Sequence, residues 1–151
     1  MTKPDPPDPL EIRFLSKSDL PGLLQLWHSA GLRIRPQGRE RPDRLAAEMT
    51  AYPRNFLGAY LQGQLVAALI ASWDGRRGWI NRLAVHPRVR RKGLAGKLIE
   101  AAEVELKSRG AMVVAALVEP ENVPSLTLFA KAGYRDTPRA VFLSKREGPD
   151  V

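Results

Sequence analysis

Apolar and polar residues alternate with two different periods along the chain, which predicts both helices and strands. The clearest helical period runs from Leu94 to Lys107, where lysine and glutamate lie opposite an apolar face. That face consists of Leu94, Ala95, Leu98, Ile99, Ala102 and Leu106. The helix is expected to end near Gly110, because glycine is common just beyond a helix end.

Three further segments have helical character. "DLPGLLQLWHSAG" follows Ser18, a suitable N-cap, and "DRLAAEMTA" predicts a short helix that ends before Pro53. "NVPSLTLFAKAG" begins at Asn122, another N-cap residue, and stops at Gly133. About four helices are therefore expected.

Strand-like runs separate these helices. "LEIRFLS" alternates apolar and polar residues from Leu10, and "NFLGAYLQ" and "LVAALIASW" form a hairpin around Gly63. "WINRLAV" follows the "DGRRG" turn, "AMVVAALV" predicts a buried strand, and "AVFLSK", residues 140–145, predicts the last strand. The order strand, two helices, hairpin, strand, helix, strand, helix, strand indicates an α/β domain with a mixed sheet.

Length and composition support one globular domain. A chain of 151 residues that is 44% hydrophobic can bury a sizeable core. We assign the domain to residues 10–146, with a flexible Pro- and Asp-rich tail at residues 1–9 and a short tail at residues 147–151. No apolar run approaches the roughly 20 residues that span a bilayer, and no export signal is visible, so a cytoplasmic location is expected.

The absence of cysteine and the small number of histidines limit the kinds of site that the chain can form. The sequence has no cysteine, so it offers no disulfide, no thiolate zinc site and no cysteine nucleophile. Its two histidines, His28 and His86, are isolated in sequence, whereas a metal site needs several ligands. We therefore expect no metal.

Positive charge is concentrated in one segment. Lysine and arginine number 24 against 16 acidic residues, a net charge of +8 that first suggests a polyanionic partner. Residues 82–92, however, hold five of these eight excess charges and no acidic residue. A compact anion therefore explains the excess as well as a long one does.

A glycine-rich junction lies within and beyond that segment, in "HPRVRRKGLAGKL". A strand ending at Val85 leads into a loop that opens a helix, and the first backbone N–H groups of a helix are free to bind an anion. Gly93, Ala95 and Gly96 let a phosphate approach the backbone closely. A Walker loop is excluded because Arg91 occupies its first glycine position and Leu98 its Ser/Thr position, and "GLAGKL" is not a dinucleotide fingerprint.

The motifs resemble those of the GNAT superfamily of N-acetyltransferases, in particular its small bacterial single-domain members. "LAVHPRVRRKGLAGKLIEAAE" is similar to the acetyl-CoA-binding segment of that family, a [RQ]-x-x-G-x-[GA] motif after a strand, and "EPENVPSLTLFAKAGY" resembles its second motif. The resemblance covers nearly the whole chain except both tails. It implies a mixed, mostly antiparallel sheet of six to seven strands with about four helices, in which two strands splay around the cofactor.

The resemblance also implies the residues that hold acetyl-CoA as co-substrate. Main-chain groups of the last strand residues would pair with the pantetheine arm, and a backbone N–H near Leu83 would polarise the thioester carbonyl. The following loop would hold the pyrophosphate, Asn122 would meet the pantetheine or the helix start, and Phe129 would lie along the inner arm. The cofactor-binding residues implied are Leu83, Ala84, Val85, Arg90, Arg91, Lys92, Gly93, Leu94, Ala95, Gly96, Asn122 and Phe129.

The catalytic groups are less evident. Family members often carry Tyr where this chain has Phe129, and Glu where it has Leu117, so the usual acid and base are missing. Glu119 shares the face of Leu117 if the strand continues, and is otherwise a solvent-exposed carboxylate. Tyr134 is either a proton donor or a core residue that satisfies its hydroxyl locally. A chain of water molecules would serve as base without any side chain.

Three functions remain open at this point. The first is an acetyl-CoA-dependent N-acetyltransferase, whose acceptor is an amine-bearing small molecule, a peptide or protein N-terminus, or a lysine, attacked without a covalent enzyme intermediate. The second is an acyl-CoA-binding protein with little catalysis, and the weakest is a basic nucleic-acid-binding domain. Four arginines near the first helix either recognise an acidic acceptor or form a solvated face: Arg33, Arg35, Arg39 and Arg41. The last predicted strand could support a homodimer.

Overall fold

The computed structural model describes residues 10–136 and 140–151, so the predicted tail at residues 1–9 lies outside the described residues. The strands are β1 (Glu11–Phe14), β2 (Phe56–Leu61), β3 (Gln64–Trp73), β4 (Gly78–Val85) and β5 (Val114–Ala116). The helices are α1 (Leu20–Ser29), α2 (Pro42–Ala51), α3 (Leu94–Ser108) and α4 (Val123–Lys131). Short 3₁₀ turns occupy Lys17–Asp19 and Pro87–Val89. None of the helices in the described segments is long and apolar enough to cross a membrane.

The strands form one mixed sheet in the order β1-β2-β3-β4-β5. Strands β1 to β4 pair antiparallel with their neighbours, and β5 pairs parallel with β4. The parallel pair requires a crossover, which α3 supplies, and this places the N-terminus of α3 directly after β4. The α/β class and the mostly antiparallel sheet are thereby confirmed.

The predicted number of strands is wrong: the described residues form five strands, not six or seven. "AVFLSK" forms no strand, and the exposed fractions of Val141, Phe142 and Leu143 are 79%, 71% and 86%. An apolar segment forms a strand only when a neighbouring strand supplies hydrogen bonds. Among the described residues β5 pairs with β4 alone, so no strand pairs with this segment. The segment therefore remains unpaired.

Helices cover both faces of the sheet. Leu23 and Trp27 of α1 and Leu45 of α2 pack on one face, in the same buried cluster as Phe56 and Ala84. On the other face, α3 and α4 pack against the sheet through a second buried cluster: Leu57, Ala59, Ala67, Leu69, Ala71, Ile80, Leu98, Ile99, Ala102, Leu106, Ala111 and Phe129. Burying one large apolar side chain contributes about 1.5–3 kcal/mol, so these two faces hold the sheet in place.

The helix starts agree only partly with the sequence. Asn122 caps α4 as predicted, because its side-chain oxygen accepts a hydrogen bond from the Ser125 N–H at 3.2 Å. Ser18 is not the cap of α1; Asp19 occupies that position. The Asp19 carboxylate instead joins three elements, accepting from the Ser16 N–H at 2.9 Å, from Arg13 at 3.1 Å and from the Tyr60 hydroxyl at 2.6 Å.

Candidate cofactor and acceptor site

Strands β4 and β5 separate part-way along their length. They pair from Gly78 to Ile80 on β4 and from Val114 to Ala116 on β5, where β5 ends. Strand β4 continues for five more residues, to Val85, without a partner on that side among the described residues. A gap therefore opens along residues 81–85, between the end of β4 and the turn that follows β5.

A β-bulge shapes the same part of β4. Arg82 has a φ of +56°, in the left-handed region that a non-glycine residue rarely adopts, and the pairing with β3 shifts its register there. The extra residue resets the alternation of side chains, so Ile80, Leu83 and Val85 all contact the α3 side of the sheet. The bulge thus brings Leu83 and Val85 to one face along the gap.

The start of α3 is built to bind an anion. Gly93 occupies the N-cap position with a φ of +77°, and no side chain caps the helix there. Arg91 is also in the left-handed region, at +67°, and such alternating conformations turn successive N–H groups toward one concave surface. A Cβ added at Gly93 or Gly96 would meet no atom within 4 Å, so the space in front of these backbone groups is open. The positive end of the helix dipole and exposed Lys92 favour a negative group in that space.

The loop between α1 and α2, residues 30–41, is tied to the end of β4 by arginine side chains. The Arg90 guanidinium donates to the carbonyl oxygen of Val85 and to that of Ala30, both at 3.2 Å. The Arg82 guanidinium donates to the carbonyl of Arg33 at 2.6 Å and forms an ion pair with Glu40. We call residues 30–41 the acceptor loop, for the role that we propose for them; they contact the end of β4 from the α1–α2 face of the sheet.

Comparison with known proteins identifies the family. Residues 21–134 match the profile of the Acetyltransferase (GNAT) family. The chain belongs to the GNAT family. An acetyltransferase of Yersinia enterocolitica serotype O:8 is 31% identical over 137 residues, which are 91% of this chain and 95% of that relative.

Solved structures agree with this assignment at the level of the fold. A PaiA N-acetyltransferase from Thermoplasma acidophilum in complex with coenzyme A is 21% identical, with a TM-score of 0.73, and the match covers 82% of this chain and 87% of that chain. An aminoglycoside N-acetyltransferase, AAC(6')-Iy, in complex with CoA is also 21% identical at a TM-score of 0.73, covering 95% and 99%. The GNAT fold is therefore shared by this chain and by proteins whose structures hold coenzyme A.

The residues expected from the GNAT motifs fall into two groups. The backbone of residues 83–85 borders the gap, and residues 91–96 form the open start of α3 a few residues further along the chain. Other side chains have local partners. Arg90 faces the acceptor loop, the Asn122 amide caps α4, and Phe129 is buried in the cluster beneath the sheet. The open backbone groups fit a pyrophosphate, and the apolar Leu83 and Val85 fit an aliphatic arm.

Tyr134, one of the two predicted catalytic residues, has its hydroxyl directed at α3. The hydroxyl donates a hydrogen bond to the Glu103 carboxylate at 3.1 Å, and the ring packs against Phe129. Burial, followed by the negative charge of Glu103 and that hydrogen bond, raises the pKa of Tyr134. A higher pKa makes the phenol a weaker acid, which disfavours proton donation by this group.

Glu119, the other predicted catalytic residue, does not lie on a strand. Strand β5 ends at Ala116, so the condition that the strand continues to Glu119 is not met. Glu119 is exposed in the turn before α4, where its carbonyl accepts from the Asn122 N–H at 2.9 Å. Leu117 is half-exposed in the same turn. Glu119 thus belongs to the turn on the β5 side of the gap.

Glu40 and Arg82 were missed as site residues in the sequence. Glu40 is the only acidic residue among the arginines of the acceptor loop, and it is buried with a 5% exposed fraction. That isolated carboxylate in a basic segment was the available signal. A second carboxylate, Glu48 of α2, is partly buried; burial and the nearby charge of Glu40 raise its pKa. In residues 10–136 and 140–151, no three His, Asp or Glu side chains are grouped so that they could hold a metal.

Proposed function

We propose that this protein is an acetyl-CoA-dependent N-acetyltransferase that transfers the acetyl group directly to an amine. The observation that carries the proposal is that the unpaired end of β4 is followed, within residues 81–96, by an uncapped helix start with open space in front of its glycines, an arrangement that suits an apolar arm next to an anionic group. The same fold binds coenzyme A in the two structural relatives. Among the described residues the guanidinium groups of Arg82 and Arg90 are engaged by backbone carbonyls of residues 30–41, which argues against their belonging to a free basic surface for a nucleic acid.

Acetyl-CoA supplies an activated acyl group in the form of a thioester. The nitrogen of a neutral amine attacks the thioester carbonyl, a C–N bond forms and the C–S bond breaks. The amine nitrogen loses a proton and the departing thiolate gains one. The role we assign to the chain is to orient the two reactants, with the backbone near Leu83 donating a hydrogen bond to the developing oxyanion.

Of the two predicted catalytic side chains, we assign the proton transfer to Glu119 and not to Tyr134. Glu119 is exposed, so it can accept a proton from the amine directly or through water. Tyr134 already donates its proton to Glu103.

The acceptor is identified by an activity screen. Release of free thiol from acetyl-CoA is monitored with a panel of simple amines, amino acids, aminoglycosides and peptides with free N-termini or lysine side chains. The expected result is release that depends on at least one of these amines. Tight binding of acetyl-CoA without amine-dependent release would instead support an acyl-CoA-binding protein, the alternative that the apolar Leu117 and Phe129 favour.

A further inference from the structure

Glu40 is a buried carboxylate whose two oxygens are both used to organise the acceptor loop. One oxygen pairs with the Arg82 guanidinium, and the other accepts a hydrogen bond from the Arg35 backbone N–H at 2.9 Å. A buried ion pair is poor evidence for stability, because desolvation of the two charges offsets much of their attraction. What such a pair does well is fix one geometry, here the position of the loop relative to β4.

Arg82 links this pair to the reaction gap. It is the bulge residue of β4, in a strained left-handed conformation, and it directly precedes Leu83. The bulge lets Arg82 project to the face opposite Leu83 and reach the acceptor loop at the Arg33 carbonyl as well as at Glu40. A strained backbone and a buried charge therefore serve the same contact.

Arg90 adds a third attachment point on the same loop. Its guanidinium connects the Val85 carbonyl, at the end of β4, with the Ala30 carbonyl, at the start of the loop. Ala30, Arg33 and Glu40 of the acceptor loop are thus each linked to the last residues of β4. These links fix the position of the loop relative to the gap.

We propose that Glu40 and Arg82 are positioning residues that hold the acceptor loop as a rigid wall beside the β4–β5 gap, so that the acceptor amine meets the acetyl group in a productive orientation. The inference rests on the proposed transferase function. The pair governs use of the acceptor and leaves the binding of acetyl-CoA unchanged, because the contacts of Arg82 with Glu40 and Arg33 lie on the face opposite Leu83 and Val85 and away from the start of α3.

Glu40→Gln tests the proposal with little change in volume. The Arg82 side chain is 23% exposed, so it can reach water when its partner is neutral, and the variant is expected to fold. Arg82→Lys is the second variant, since it keeps the charge but cannot contact both Arg33 and Glu40 in the same way. Glu105→Gln is the matched control. Glu105, near the end of α3, is also buried, and it forms ion pairs with two arginines, Arg54 and Arg109.

Two measurements are made on each variant. With the best amine of the panel, Glu40→Gln and Arg82→Lys are expected to lower kcat/KM for the amine by about tenfold to 100-fold, while KM for acetyl-CoA changes less than about twofold. Hydrogen exchange of peptides covering residues 31–41 is expected to accelerate in both variants and to remain unchanged in Glu105→Gln.

The outcomes separate the two proposals. Equal effects of Glu40→Gln and Glu105→Gln on kcat/KM for the amine, or equal loss of acetyl-CoA affinity, would overturn the positioning role. If the wild-type protein acetylates no amine in the panel, the proposed function fails, and the exchange measurement alone then decides whether the pair holds the loop. Unchanged exchange in the Glu40→Gln and Arg82→Lys variants would contradict that role.

Discussion

The rings of Phe129 and Tyr134 pack edge to face with their centroids 5.0 Å apart, and the Tyr134 hydroxyl donates to Glu103. This arrangement makes Tyr134 part of the packing between α3 and α4. Tyr134→Phe should therefore leave kcat within about twofold of the wild-type value and lower the free energy of unfolding by about 1 kcal/mol, the usual net value of one hydrogen bond. Thiol-release rates and urea unfolding check both parts. A tenfold loss of kcat in a stable variant would show that Tyr134 is the proton donor.

For the exposed residue Glu119, unlike Tyr134, we expect that substitution lowers the activity. Glu119→Gln should lower kcat by about 100-fold, the lower part of the range for general acid–base catalysis. Glu121→Gln is the control, because Glu121 lies two residues further along the same turn and is equally exposed. If both variants lose activity to the same small extent, the proton leaves through water alone.

The parts of this architecture that the sequence predicts are those that depend on neighbours in the chain. The apolar face of α3, the Asn122 cap and Gly133 after α4, with a φ of +94°, all follow from local pattern and local geometry. The backbone groups at Gly93 and Gly96 also belong to this class. These features arise within a few residues, so a short segment contains the information.

Features that depend on distant contacts could not be predicted in the same way. The contact of Arg82 with Glu40 joins residues 42 positions apart, and the bulge at Arg82 interrupts a run that looks like a regular strand. "AVFLSK" has the composition of a strand, but whether it pairs depends on a partner elsewhere. The assignment of Ser18 as helix cap failed because Asp19, next to it, already gathers contacts from Arg13 and Tyr60.

The Asp19 carboxylate makes the free energy of unfolding depend on pH in the acidic range. Although burial opposes the charged form, the hydrogen bonds from Arg13, Ser16 and Tyr60 lower the pKa of Asp19 to about 2 from 3.8. Since the pKa of Asp19 is lower in the folded protein than in the unfolded chain, its carboxylate stabilises the fold fully above pH 3.8. This contribution to the free energy of unfolding is lost as the pH falls from 3.8 through about 2. Asp19→Asn should cost on the order of 2 kcal/mol of unfolding free energy at neutral pH, and this cost should shrink as the pH falls through about 2.

Urea unfolding of the wild-type and Asp19→Asn proteins across this pH range checks the Asp19 prediction. Asp43→Asn is the control, because Asp43 is fully exposed beside Arg41 and such surface pairs contribute little. A constant difference between wild type and Asp19→Asn at every pH would contradict a role for the charge.

The exposed apolar residues after α4 bear on the predicted homodimer. Three consecutive apolar side chains, Val141 to Leu143, are largely solvent-exposed, and such patches tend to be buried against another surface. Light scattering during size-exclusion chromatography should give the mass of a dimer for the wild-type protein. A Phe142→Glu, Leu143→Glu double variant should give a monomer, whereas Val104→Glu, at an exposed apolar position on α3, should remain dimeric. A monomeric wild-type protein would contradict the prediction.

We propose that the open start of α3 holds the pyrophosphate of acetyl-CoA, and titration calorimetry with acetyl-CoA is the direct test. Gly93→Asp places a negative charge at that helix start, and Gly63→Asp places the same side chain in the β2–β3 turn at nearly the same φ, +74° against +77°, with equally open surroundings. Gly93→Asp is expected to weaken acetyl-CoA binding by at least about tenfold, which is about 1.4 kcal/mol, while Gly63→Asp binds like the wild type. Equal affinity of the Gly93→Asp and wild-type proteins would contradict it.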